Sequence, residues 1–300
     1  ARFGYFGGGS PTTTTTTSSV ERIDYANDAS SAVVRGQLSL ARMAGGAVGT
    51  ALYGYFGGGA TMPGTAVVSR VDRFDYSNDT GTATATGPLS SARYVLAGTG
   101  NSSFGYFGGG KNGTPTFSTV DRIDYSNDAA TAVAKGPLTA VRSYLGATGN
   151  SSFGYFGGGA NPGVTGVSFT NRIDYSNDTA TTVAKGPLSS ARYLVAGNSS
   201  SSFGYFGGGK AAPAVASTVD RLDYSNDTTT AVAKGPLSQA RRNISSINNS
   251  FYGYFGGGYV PGGSSTIDRI DYSNDTATAA AKGPLSTTKW NLGGFNHMSF

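Results

Sequence analysis

The hexapeptide GYFGGG begins at Gly4, Gly54, Gly105, Gly154, Gly204 and Gly253, which gives the chain a period of about 50 residues. A second phrase, DRIDYSNDT at 268–276, has near-copies starting at Glu21, Asp72, Asp121, Asn171 and Asp220. The spacings inside a repeat are rigid. From the Arg of RIDY to the Gly of KGPL is always 14 residues, from that Gly to the next Arg or Lys always 6, and from there to the next GYFGGG always 12. Only the step from GGG to RIDY varies, from 11 to 14. A one-residue slip turns every side chain of a strand to the opposite face, so fixed spacing marks fixed strand pairing. The variable step marks a loop.

Each repeat reads as four short strands. Around residue 105, strand a falls near 94–97, strand b at 104–107, strand c at 119–125 and strand d at about 131–135. Asn and Asp of SND suit a turn between c and d, where they bond their own backbone. No helical period of useful length occurs. Six copies of a four-stranded unit predict an all-β fold, a six-bladed β-propeller of antiparallel strands, with residues 1–300 as one domain. Radial closure hides the sheet edges. The phase of the two ends fits closure. Counting 12 from Lys289 puts the next GYFGGG at 301, whereas the chain enters at Phe3-Gly4. The stretch 290–298 is therefore expected to supply strand a beside residues 3–7, which lead into b, c and d of the same blade.

The order of an aromatic strand ending in double Gly (FGYFGGG, 104–110), then TVDRIDY (119–125), then PLS-AR, resembles the kelch repeat over essentially the whole chain. The resemblance implies a propeller and leaves the role open, since kelch propellers range from enzymes to pure interaction modules. The chain departs from kelch after the c–d turn, where Ala, Thr or Val stand in place of the usual Trp; its single Trp is Trp290. A thinner outer strand is expected. The repeat wording also resembles repeat proteins predicted in bacteriophages of aquatic bacteria and in environmental bacteria.

Catalytic chemistry finds little footing. All 17 acidic residues are repeat positions: the Asp of RIDY, the Asp of SND and the acid before the Arg. An acid/base pair needs two carboxylates in unlike environments, which sixfold repetition opposes. His297 is the one histidine, with no unique carboxylate to orient it. Without Cys there is neither a disulfide framework nor the Cys-Tyr-His set of a kelch-class copper oxidase. DYSND matches a calcium loop only at its first positions and lacks the Gly and Glu that complete one. GYFGGG is followed by no Lys-Ser/Thr and opens no helix, so it is no phosphate loop. The net charge of +5 is spread round the repeat rather than gathered in a stripe, against nucleic acid. No cofactor and no membrane insertion is expected. The longest uncharged run is broken by Gly and stays in phase with the repeat. The first residues lack Met and a signal-peptide pattern, which suggests a processed chain or a segment of a longer one.

Three features remain as places for function. The b–c loop is rich in Thr, Pro, Gly and Ala and is the one segment of variable length; in a meander it shares a face with the d–a loop. Arg42, Arg93, Arg142, Arg192, Arg241 and Lys289 recur where strand a begins, near the channel mouth on that face. They are candidate contacts for an acidic partner, with pairing to blade Asp as the favoured reading. Candidate glycan acceptors are Thr12, Thr13, Thr14, Thr15, Thr16 and Thr17, and the sequons at Asn101, Asn112, Asn150 and Asn198. In RIDY the Arg and Asp share a strand face, which suggests ion pairs between blades. The expectation is a non-enzymatic structural or adhesive protein, extracellular or part of a virion, whose partners are proteins of an assembly, itself included. A multivalent lectin with aromatic-Gly platforms is the alternative, and a glycan-acting enzyme the disfavoured one.

Overall fold

A computed structural model of the chain describes residues 2–63 and 66–296. Six four-stranded antiparallel sheets stand around an axis as blades. Blade 2 contains Gly46–Gly49, Tyr53–Gly57, Val71–Asp75 and Thr84–Ala85 as strands a to d. Blade 3 contains Ala97–Gly100, Phe104–Gly108, Val120–Asp124 and Val133–Lys135. Strand a thus begins three residues later than its expected start. Blades 4, 5 and 6 follow the same plan. The b–c and d–a loops share one face, called here the variable face; the a–b loops and c–d turns share the other, the turn face.

Blade 1 is built from both ends of the chain. Gly293–Asn296 is its strand a and Phe3–Gly7 its strand b, with Tyr5 opposite Phe295 and Gly7 opposite Gly293. Ser19–Asp24 and Val33–Gln37 complete it. The expected closure strand is present over these residues; His297 and Met298 lie outside the described residues.

Strand b is buried on both sides because it runs between strands of its own sheet and the flanks of two blades. Its Tyr stacks on the RIDY Tyr of the next blade, as in Tyr106 on Tyr175, with centroids 4.9 Å apart. The stack recurs at all six interfaces, with Tyr254 on Tyr25 closing the ring. Tyrosine therefore fills the space between blades in this chain. The outer strand d is short and leaves Val33, Val133, Val183 and Val232 exposed, in keeping with the thin outer edge expected.

The inner strands approach one another most closely, and their first two residues alternate around the ring: Gly46-Ala47, Ala97-Gly98, Gly146-Ala147, Ala196-Gly197, then Ser245-Ser246 and Gly293-Gly294. A methyl group on Gly98 would run into the carbonyl oxygen of Ala47 in the preceding blade. Small residues are therefore required where the inner strands of neighbouring blades meet. At the far end of strand b, Gly109 and Gly110 take φ of +68° and +98°, which a side chain rarely tolerates.

Candidate binding face

The carboxylates divide into three sets, each with its own structural duty. The Asp of SND crosses to the preceding blade. Asp178 accepts from Tyr106 Oη at 2.9 Å and Arg122 at 2.8 Å, and Lys135 Nζ lies 3.2 Å away. The Arg–Asp pair recurs from Arg22–Asp79 round to Arg269–Asp28. Burial, and then the neighbouring carboxylate, raise the pKa of Tyr5, Tyr55, Tyr106, Tyr155, Tyr205 and Tyr254. Burial works to raise Asp79 and Asp227 too, but their cations win and hold both below the usual carboxylate range.

The Asp of RIDY is not the partner in these pairs, contrary to expectation. Asp124 instead accepts from the backbone N–H and hydroxyl of Ser126 and caps the 3-10 turn Tyr125–Asn127. The interblade pair survives with a different acid because the c strand twists Asp124 towards the turn. Ser donation lowers the pKa of Asp75, Asp124, Asp174, Asp223 and Asp271.

The third set meets the predicted Arg ring, where the candidate partner surface is corrected and the favoured pairing with blade Asp is found. Arg42, Arg93, Arg142, Arg192, Arg241 and Lys289 are all buried. Four guanidinium groups pair with equally buried acids: Arg42–Asp72 at 2.9 Å, Arg93–Asp121 at 3.0 Å, Arg192–Asp220 at 2.7 Å and Arg241–Asp268 at 2.8 Å. Lys289 pairs with Glu21. The five Arg sit behind the channel mouth and bond the carbonyls that end strand b, as Arg192 does to Gly208 O at 2.7 Å. Blade 4 departs from the pattern. Arg142 bonds Asn171 Oδ1 and three carbonyls, with no carboxylate, and burial alone lowers its pKa to about 10.

The mouth itself is lined by residues that the sequence did not single out. Ala44, Val95, Tyr144, Leu194, Asn243 and Asn291 all have φ between 53° and 61°. Their backbones form a closed crown. Ala44 N–H donates to Asn291 O at 2.8 Å, Val95 to Ala44 at 2.6 Å, Tyr144 to Val95 at 2.9 Å, and so on round to Asn291 donating to Asn243 at 2.9 Å. A left-handed residue without glycine costs about 1–3 kcal/mol, and such strain persists where the surroundings over-determine it. Here each strained residue gains a hydrogen bond across a blade boundary. The only signal in the sequence was Asn at two of the six positions.

Outside the crown lies a collar formed where the residue before each crown position bridges the residue after GGG. The pairs include Tyr94 with Lys111, Tyr193 with Lys210, Arg242 with Tyr259, and Trp290 with Ser10. Lys111 Nζ lies 5.4 Å from the Tyr94 ring and 5.1 Å from that of Tyr144. Arg242 lies 4.9 Å from the Tyr259 ring, which meets Trp290 edge-on at 5.2 Å. In blades 2 and 4 the same places hold Met43 with Ala60 and Ser143 with Ala160. The repeats disagree chemically at the collar positions.

The charge is distributed unevenly between the faces. Six RIDY and six SND carboxylates on the turn-face half meet twelve cations: Arg2, the six RIDY Arg and the five Arg or Lys before GPL. The other ten cations and five acids belong to the variable half, so the whole net charge of +5 lies there. All five of those acids are buried. Among the described residues no carboxylate is in salt-bridge range of Lys111, Lys210 or Arg242.

The remaining predicted positions separate by exposure. Thr12, Thr13, Thr14 and Thr15 are exposed in a tight loop on the variable face, whereas Thr16 and Thr17 are half-buried. Asn112 is exposed on that face. Asn101 and Asn150 each cap an a–b loop through two N–H bonds to Oδ1. Asn198 is corrected as an acceptor: it is 3% exposed, wedged beside Gly253 of the next blade, with Tyr272 Oη donating to its Oδ1. The Tyr and Phe of GYFGGG are likewise buried and offer no sugar platforms. Cavities of about 150 Å³ at the turn-face end of the axis and about 80 Å³ at the crown have no charged residue in their lining. His297 lies outside the described residues; among those described, no three His, Cys, Asp or Glu gather as a metal site. No protein-family model matches the chain, and no curated protein matches it.

Proposed function

We propose that the chain is a non-catalytic binding propeller, a structural or adhesive component of an extracellular or virion assembly, and that it engages its partner through the variable face. One observation carries the reading: loop length varies between repeats only on that face, where the collar pairs and the side chains of the crown also differ from blade to blade. A rigid ring is a stable platform for such a surface, since strain and loops are held by six near-identical interfaces. The kelch-like wording of the repeat accords with an interaction role. The carboxylates argue against catalysis because each set is committed to capping, interblade pairing or a buried ion pair. Two unlike faces also permit head-to-tail stacking, whose contacts do not close and so give filaments.

Electron microscopy of native particles tests the reading. Rings embedded in an assembly, with residues 10–19 and the collar at a contact or presented outwards, are the expected result. Isolated rings that turn over a glycan substrate would overturn it.

A further inference from the structure

We propose that the collar binds one acidic polysaccharide chain per ring, with sugar rings against the Tyr and Trp surfaces and carboxylate or sulfate groups beside Lys111, Lys210 and Arg242. The inference rests on the variable face being the binding face and adds the ligand class and stoichiometry.

Four features favour this ligand. First, half-buried aromatic rings and cations alternate from blade 3 round to blade 1: Tyr94, Lys111 and Tyr144, then Lys210, then Arg242, Tyr259 and Trp290. An aromatic face carries negative quadrupole density and attracts the polarised C–H bonds of a pyranose as it does a cation. Second, these cations lack carboxylate partners on a half that carries all the net charge, so an anion meets no competing acid. Third, the Thr-rich loop of blade 1, with Thr12, Thr13, Thr14 and Thr15 exposed, flanks the collar at Ser10 with hydroxyls that can bond those of a sugar. Fourth, the lining of the cavity of about 80 Å³ at the mouth carries no acid that would repel an anion. Nucleic acid fits less well, because three unpaired collar cations are few beside the roughly 6–10 phosphate contacts of a typical site. Blades 2 and 4 carry Met43, Ala60, Ser143 and Ala160 at the equivalent places, so the collar offers a single asymmetric site and not six.

The test uses the full chain in titration calorimetry and affinity electrophoresis. The probes are polygalacturonate oligomers, a sulfated galactan, neutral dextran, polyglutamate and a single-stranded DNA. Expected are one oligomer per ring, no retention by dextran, and binding of an acidic polysaccharide at least about tenfold tighter than polyglutamate of equal charge. Tyr259→Ala and Lys111→Gln should each weaken that binding about tenfold or more. Phe251→Ser on the turn face should leave it unchanged. Thermal melts establish that each variant folds, and Lys111→Gln removes the charge while keeping a long polar side chain should Tyr259→Ala fail. Equal binding of polyglutamate, preference for DNA, six sites per ring, or collar variants without effect would each overturn the ligand assignment. If the polysaccharides fail while Lys111→Gln still abolishes binding of another probe or attachment to native particles, the ligand class falls and the binding face stands. If collar variants alter no binding at all, both fall.

Discussion

Asn171→Asp should stabilise the protein, although it places a carboxylate where the chain has none. Arg142 is buried and bonds Gly158 O at 3.0 Å, Phe169 O at 2.9 Å and Asn171 Oδ1. Arg192 makes the same carbonyl bonds in blade 5, to Gly208 O at 2.7 Å and Thr218 O at 2.9 Å, and also pairs with Asp220. The frame for a carboxylate is therefore already built in blade 4. Thr139 Oγ1 lies 2.8 Å from Asn171 Nδ2 and can rotate to donate, as Ser189 does to Asp220. At the 2.8 Å of the Arg241–Asp268 pair and an effective dielectric of about 20, the attraction is about 6 kcal/mol. Desolvating the carboxylate costs several kcal/mol, and the amide's existing bond, about 1 kcal/mol, is lost. The net is about 2 kcal/mol in favour of Asp. With an unfolding entropy of about 2.1 cal/mol/K per residue over 300 residues, the melting midpoint rises by about 3 °C. Calorimetry at pH 7 measures it, with Asp121→Asn as the mirror experiment that should lower the midpoint. An unchanged or lower midpoint for Asn171→Asp would show that desolvation outweighs pairing in this frame, and would refute the account of all six sites.

Three further outcomes follow from the same contacts. Removing residues 290–300 strips strand a from blade 1 and should abolish cooperative unfolding, whereas a circular permutant opened inside loop 10–19, with the old ends joined, should melt as the parent does; chemical denaturation followed by fluorescence distinguishes them. Asp128→Asn removes the charge that Tyr55 and Arg73 share across a blade boundary and should cost about 1.5 kcal/mol, as losing charge-assisted hydrogen bonds in a half-buried pair does, while Asp124→Asn keeps a good capping side chain and should cost under about 0.5 kcal/mol in the same urea titration. The six buried Tyr of GYFGGG have raised pKa values in the folded ring, so the stability they contribute is fully present below the unfolded value of about 10 and is lost as pH rises above it; a pH series of melts should show a fall beginning near there, and a flat profile to pH 12 would contradict the burial.

The sequence by itself determined the architecture. Six copies at one period, with three invariant spacings, leave a register little freedom, and the phase of the two ends placed Gly293–Asn296 beside Phe3–Gly7. It also marked every carboxylate as architectural, because pattern along a chain reports what is repeated. Partners across blades were another matter. That Arg122 reaches Asp178 and not Asp124 depends on strand twist and on the tilt between sheets, neither of which is written in the spacing within one repeat. The Arg at the start of strand a was legible as a position, with pairing to blade Asp favoured and a partner surface left open, and only the closing of neighbouring strands over it, which buries it, decides for pairing. The crown escaped notice for the same reason: Ala44, Val95 and Leu194 carry no sign of a left-handed backbone, and only the ring of hydrogen bonds across six blades makes that conformation hold. The collar escaped notice as well, because only the tertiary structure brought Lys111 to Tyr144 and Tyr259 to Trp290, residues of neighbouring blades that share one mouth.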